Sequence, residues 1–161
     1  MNLTAYLDQQ GVTYRTYHHD ETFDAQHMAQ SIHLSGHMVA KTVLVHAVGG
    51  ANCFVLVVPA AERVDLRRVS AILGGVEVRL ATEAEILEHA TGFEFGIVPI
   101  FGSQFGLQTI IDESLSHQDE LVFQGQTHEE TVRMKFADFY RLEHPRIATI
   151  VQHRPENKLA S

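Results

Sequence analysis

Two apolar runs, Met38 to Ala47 and Asn52 to Val58, flank Gly49-Gly50. Glycines accept the positive φ of a tight turn, so the pattern predicts a β-hairpin. The longest unbroken apolar stretch in it, Cys53-Phe54-Val55-Leu56-Val57-Val58, has strand length. It falls far short of the roughly 18 residues of a membrane span.

The remaining pattern places other elements around this hairpin. Leu3, Tyr6 and Leu7 recur at helical spacing before Gly11, which predicts a helix over 2–10. A strand over 12–17 follows by alternation. Asp24 can cap a helix carrying Ala25, Met28, Ala29 and Ile32, ended by Ser35-Gly36. A helix over 62–73 carries Val64, Leu66, Val69, Ile72 and Leu73, with Gly74-Gly75 as the stop. Val76 to Leu80 alternates as a strand. Thr82-Glu83-Ala84-Glu85 is a capping box, which opens a helix to about Ala90. A glycine-rich loop runs from Thr91 to Gly106. Strands over 107–111, 120–124 and 130–135, a helix over 136–143 and a strand over 146–151 complete the series. Frequent hairpin signals without a strict βαβ rhythm predict an α/β chain of the α+β type. Its sheet should be mixed and mostly antiparallel, with flanking helices. One domain over 1–151 and a polar tail over 152–161 are expected.

Composition removes several classes of function. With 161 residues the chain has room for one domain, and its single cysteine, Cys53, excludes an intrachain disulfide framework and a Cys-rich zinc module. The formal net charge of −8 speaks against wholesale binding of duplex phosphates, and so against a DNA-binding protein. A small basic patch could still hold one nucleic-acid end. No basic stretch precedes an apolar one near Met1, so a cytoplasmic protein without membrane contact is expected.

Lys41 is the most informative single residue. Strand alternation places it on one face with Val39, Val43 and Val45, where an amine needs a partner, a cavity or a route to water. The loop Gly92 to Gly102 is the second signal, because glycines let backbone amides turn toward an anion or an oxyanion. Its plain reading is an irregular connection. Asp112, at a strand end, could meet Lys41 or cap the turn at Glu113-Ser114, and capping is the commoner use. His128 reads as a solvated loop histidine. Arg63, Arg67 and Arg68 read either as a solvated helix face or as a phosphate-contact patch, with Arg63 and Arg67 one turn apart. From Leu80 to Val132 there is no Lys or Arg against ten acids. Among the histidines, His33 and His37 are separated by a helix break and His18-His19 face opposite ways, so no metal site is expected. Cys53, with no basic residue nearby in sequence, reads as an inert core thiol.

Val39-Ala40-Lys41-Thr42-Val43-Leu44, followed by an apolar strand ending in Pro59, resembles the YbaK/EbsC family, the domain that also occurs as the editing insertion of bacterial prolyl-tRNA synthetases. The resemblance continues through Val78-Arg79-Leu80 and a glycine loop in which Gly92, Gly96 and Gly102 match a G-x-x-P-G-G-x-x-P-x-G pattern, with Pro99 one place before its second proline. Ile110-Ile111-Asp112-Glu113-Ser114 and Val122-Phe123-Gln124-Gly125 extend it, so it covers about residues 12–151. Phe95, Ile97 and Ile100 depart from the pattern, standing for Pro, Gly and Pro.

The resemblance implies a curved, barrel-like sheet and trans-editing: hydrolysis of the ester joining a wrong amino acid to the 3′ acceptor end of a tRNA. It implies that Lys41 binds the terminal phosphate or the polarised carbonyl oxygen, and that the backbone at Gly96 donates to the oxyanion. Water would be the nucleophile. Gly92, Ile97, Pro99, Ile100, Gly102, Asp112, Gly125 and His128 would line the substrate site, and Arg63, Arg67 and Arg68 would contact tRNA. An aminoacyl-tRNA synthetase is a further expected partner, and no cofactor is expected. The rival reading is a non-catalytic ligand-binding or regulatory module on the same fold.

Overall fold

The computed structural model describes residues 1–18, 38–50 and 52–152. Helix α1 (Leu3–Gln9) opens the chain, with the Asn2 side chain accepting from the Ala5 amide at 3.0 Å. Strand β1 is Tyr14–His18. The expected hairpin is β2 (Ala40–Ala47) and β3 (Cys53–Pro59), antiparallel and in register from Ala40–Pro59 to His46–Cys53. Gly49 takes φ +88° in its turn. Helix α2 is Leu66–Ile72, β4 is Val78–Leu80 and α3 is Glu83–His89. Then come β5 (Gln108–Asp112), β6 (Glu120–Gln124), β7 (Glu130–Lys135), α4 (Phe136–Glu143) and β8 (Arg146–Ala148). The expected helix from Asp24 to Ser35-Gly36, His19, His33, His37 and the tail from 153 lie outside the described residues.

The strands form a three-stranded sheet, β1-β7-β6, and a five-stranded one, β4-β2-β3-β5-β8. Pairings β3–β5 and β5–β8 are parallel; the other four are antiparallel. The sheets meet where Val39 bridges Val122 and the Val122 amide donates to the Met38 carbonyl at 2.9 Å. Strand β2 therefore borders β6 at its start and β4 at its end. Between those contacts, Lys41, Thr42 and Val43 pair only with β3 among the described residues.

Strand β3 is buried at every position but Phe54, because both of its faces are covered. On one face Ala40, Leu44, Val55, Val57 and Ile111 meet Leu3 and Leu7 of α1 and Phe139 of α4. On the other, Val45, Leu56, Val58 and Ile110 pack against Val69 of α2. Lys41 shares its parity with Val43 and Val45 and thus the α2 side; Thr42 shares its parity with Ala40 and Leu44.

Two sequence boundaries move by three residues or more. The helix expected over 62–73 starts at Leu66, because Asp65 is its cap, accepting from the Arg67 and Arg68 amides at 3.0 and 3.3 Å. Val64 instead bridges Val151 in extended form, so Arg63 and Arg67 are not neighbours on a helix. The strand expected over 146–151 stops at Ala148, and residues 150–152 turn to pair with 63–65 through Asp65 N–Ile150 O and Gln152 N–Arg63 O. The glycine-rich loop ends in a 3-10 turn, Gly102–Phe105.

Candidate active site

Lys41 is half-buried near the start of β2. Burial lowers the pKa of its ammonium, and the nearby Arg63 lowers it further, while Glu62 pulls the other way. A cation held in a partly dry place beside a second cation is primed to welcome an anion. Arg63 thus belongs to the neighbourhood of Lys41. Arg67 and Arg68 sit in the first turn of α2, with Arg68 Nε 3.5 Å from Asp65.

The glycine loop is tied down residue by residue. The Gln126 side chain donates to the Gly92 carbonyl at 2.9 Å and the Met1 carbonyl at 2.8 Å, and accepts from the Leu3 amide at 2.6 Å. The Glu94 amide donates to the Gln126 carbonyl at 2.9 Å, and the Glu94 carboxylate accepts from the His128 amide. His128 Nε2 lies 2.8 Å from the Phe95 carbonyl, so the proton sits on that nitrogen. His128 is thus a clamp on the loop, one residue before Gly96. Thr42 Oγ1 donates to the Val98 carbonyl at 2.7 Å and binds the far side of the loop to β2.

Between these anchors the Ile97 amide donates to the Glu94 carbonyl at 3.1 Å, closing a turn with Gly96 at φ +87°. A Cβ at Gly96 would touch nothing within 4 Å, so glycine answers a conformational need there, not a steric one. The Ile97 amide is spent inside the turn. Glu94, Phe95 and Gly96 form an exposed crest, with Phe95 57% exposed, while residues 97–102 are buried. Ile97 is 4% exposed, and Ile100 belongs to the main core with Val98 and Phe101.

Three expected site residues are occupied with the fold itself. Gly102 is packed so closely that a Cβ would lie 2.6 Å from Thr109 Oγ1 and 2.9 Å from Val55 Cγ2. Gly125 leaves no room beside Glu130, whose Cγ would be 2.8 Å away. The Asp112 carboxylate accepts from Ser114 N at 3.1 Å and Ser114 Oγ at 2.5 Å through Oδ2, and from Ile150 N at 2.9 Å through Oδ1. Capping is its use, and Lys41 is not among its partners.

One supporting residue escaped the sequence reading. Glu143, at the end of α4, is buried and accepts from Ser103 N at 2.9 Å, Ser103 Oγ at 2.6 Å and Thr109 Oγ1 at 2.6 Å. Burial pushes its pKa up; those hydrogen bonds pull it down. It fastens the end of the glycine loop to β5. Its signal lay in the helical stripe Phe136, Phe139, Glu143, where a carboxylate holds an apolar position.

A family model described as the aminoacyl-tRNA editing domain matches residues 19–142. The Multifunctional Ser/Thr-tRNA deacylase ProXp-y of Escherichia coli K12 is 28% identical over 148 residues, covering 90% of this chain and 88% of that protein. A solved structure described as a candidate trans-editing enzyme for prolyl tRNA synthetase superposes with TM-score 0.79 at 23% identity, covering 94% of this chain and 95% of that one. The hypothetical protein APE2540 superposes with TM-score 0.81 at 19% identity, over 93% of this chain and 99% of that one. At such identities the two structures show a shared fold.

Proposed function

The chain belongs to the family of aminoacyl-tRNA editing domains, and we propose that it hydrolyses the ester joining a small, wrong amino acid to the 3′ end of a tRNA. The observation that carries this reading is Lys41: a half-buried cation two residues past the contact between the sheets, with a second cation, Arg63, beside it. Its charge would meet the terminal phosphate or the carbonyl oxygen of the ester. The Gly96 amide, on the exposed crest, would donate to that oxygen as it becomes negative. Water adds to the carbonyl carbon, the ester C–O bond breaks, and the ribose hydroxyl leaves with a proton. An aminoacyl ester is already labile, so positioning and charge suffice.

Selection rests on size. Ile97, buried next to Gly96 where the family pattern has glycine, would narrow the acyl space, and Ile100 fills the core on which the loop rests. Alanyl or seryl groups fit this reading, and the E. coli relative carries Ser/Thr-tRNA in its name. Large groups are rejected by clash. Arg63, Arg67 and Arg68 would take tRNA phosphates, with a synthetase as the source of the mischarged substrate.

The test is a panel of mischarged tRNAs incubated with the purified protein. Release of alanine or serine and retention of large amino acids is expected. Failure to release any small amino acid overturns the reading in favour of a non-catalytic binding module.

A further inference from the structure

We propose that His46, Cys53 and Glu85 form a binding site for a divalent transition metal of the zinc or cobalt type, at the turn end of the β2–β3 hairpin. His46 and Cys53 face each other across the strand pair, with Sγ 3.4 Å from Nδ1. Glu85, from the first turn of α3, places Oε2 3.0 Å from the same nitrogen. The three donor atoms all lie within 4.8 Å of one another. Zinc–ligand bonds of about 2.0–2.3 Å at tetrahedral angles set N, S and O donors roughly 3.4–3.6 Å apart. The cluster is within a few tenths of an ångström of that on the edges measured.

The convergence separates a cation site from a proton relay. In a nucleophile–base–carboxylate relay, the nucleophile and the carboxylate engage opposite ring nitrogens. Here sulfur and carboxylate approach one nitrogen. Three donor atoms gathered within 4.8 Å of one another suit an ion between them.

The carboxylate is also held as a ligand would be. Glu85 Oε1 accepts from Thr82 N at 2.9 Å, Thr82 Oγ1 at 3.2 Å and Arg79 Nη1 at 2.8 Å. These bonds fix the group and leave Oε2 toward His46. Arg79 Nη2, 3.2 Å from Oε2, would give way while Nη1 keeps its bond. A thiolate, an imidazole and a carboxylate suit zinc or cobalt and not calcium or magnesium, which take oxygen donors. On binding, the Cys53 thiol loses its proton to solvent, water fills the fourth position, and two anionic ligands balance the dication.

His46 lies five residues beyond Lys41 on β2, roughly 16 Å away at strand rise. The ion would therefore clip β2, β3 and α3 together and take no part in the ester chemistry. The ligands come from three elements, so no local motif marks them.

The test is cobalt(II) titration of the intact, chelator-treated protein. One equivalent should bind with a thiolate-to-cobalt absorption band in the near ultraviolet, zinc should displace it, and zinc should raise the melting temperature. Cys53→Ser should lose the band and the zinc-dependent rise. Absence of the band in the folded wild type overturns the site. So does zinc stabilisation that is unchanged in Cys53→Ser, which would assign it to other histidines. Should Cys53→Ser fail to fold, His46→Gln, at a more open position, supplies the same comparison.

Discussion

Lys41 sits on a mostly apolar strand, and removing its amine leaves the hairpin register untouched. Lys41→Ala should lower the deacylation rate about a hundredfold, near 3 kcal/mol of transition-state stabilisation, with little change in melting. Full activity at unchanged melting would remove the residue from the chemistry. Glu143 should behave in the opposite way. Glu143→Ala strands the Ser103 amide and two hydroxyls, at a cost of about 3 kcal/mol in stability. Because burial raises its pKa in the fold, its contribution is complete below the ordinary glutamate value and declines as the pH rises through the raised one. Melting curves across that window should show the decline in the wild type but not in Glu143→Gln, which keeps an acceptor and has no proton to lose. Lys41 was visible in the sequence because alternation is a local signal. The partner of Glu143 was not, since Ser103 lies 40 residues away.

At the scale of elements, the glycine loop joins local rules to distant anchors. Its turn at Gly96 follows from backbone freedom, and Gly96→Ala should cost about 1 kcal/mol through strain alone, because nothing occupies the space a methyl would enter. Ile97→Gly should widen the range of aminoacyl groups released; an unchanged substrate range would show that Ile97 only packs the loop. The β2–β3 hairpin, the capping box and the helix stripes were legible because each is written in a short local pattern. The start of α2 was misplaced for a physical reason. Val64 has the periodicity of a helical residue, but its pairing with Val151 across the chain outweighs it, and Asp65 takes the cap instead. Gly102 and Gly125 matched a motif, yet close packing explains them without a ligand.

At the scale of the whole molecule, a net charge of −8 must coexist with tRNA binding. Attraction would have to be local, and Arg63, Arg67 and Arg68 are the cations proposed for it. Reversing charge at Arg67 and Arg68 should weaken binding for all tRNAs alike and flatten the salt dependence by about one to two units of slope. An unchanged slope would leave those arginines as solvated helix residues. No helix among the described residues is long and apolar enough to cross a membrane.

The loop's outermost anchor, Leu3 N to Gln126 Oε1, spans 123 residues of chain, and β1 can pair only once β7 exists. Such distant pairings tie folding to late events and slow it relative to domains built from local contacts. A chain emerging from the ribosome therefore carries Lys41 long before it owns a finished loop. Activity should arise in one step once Gln126 and β7 have been made, and a copy without them has nothing with which to cleave the charged tRNAs crowding around it.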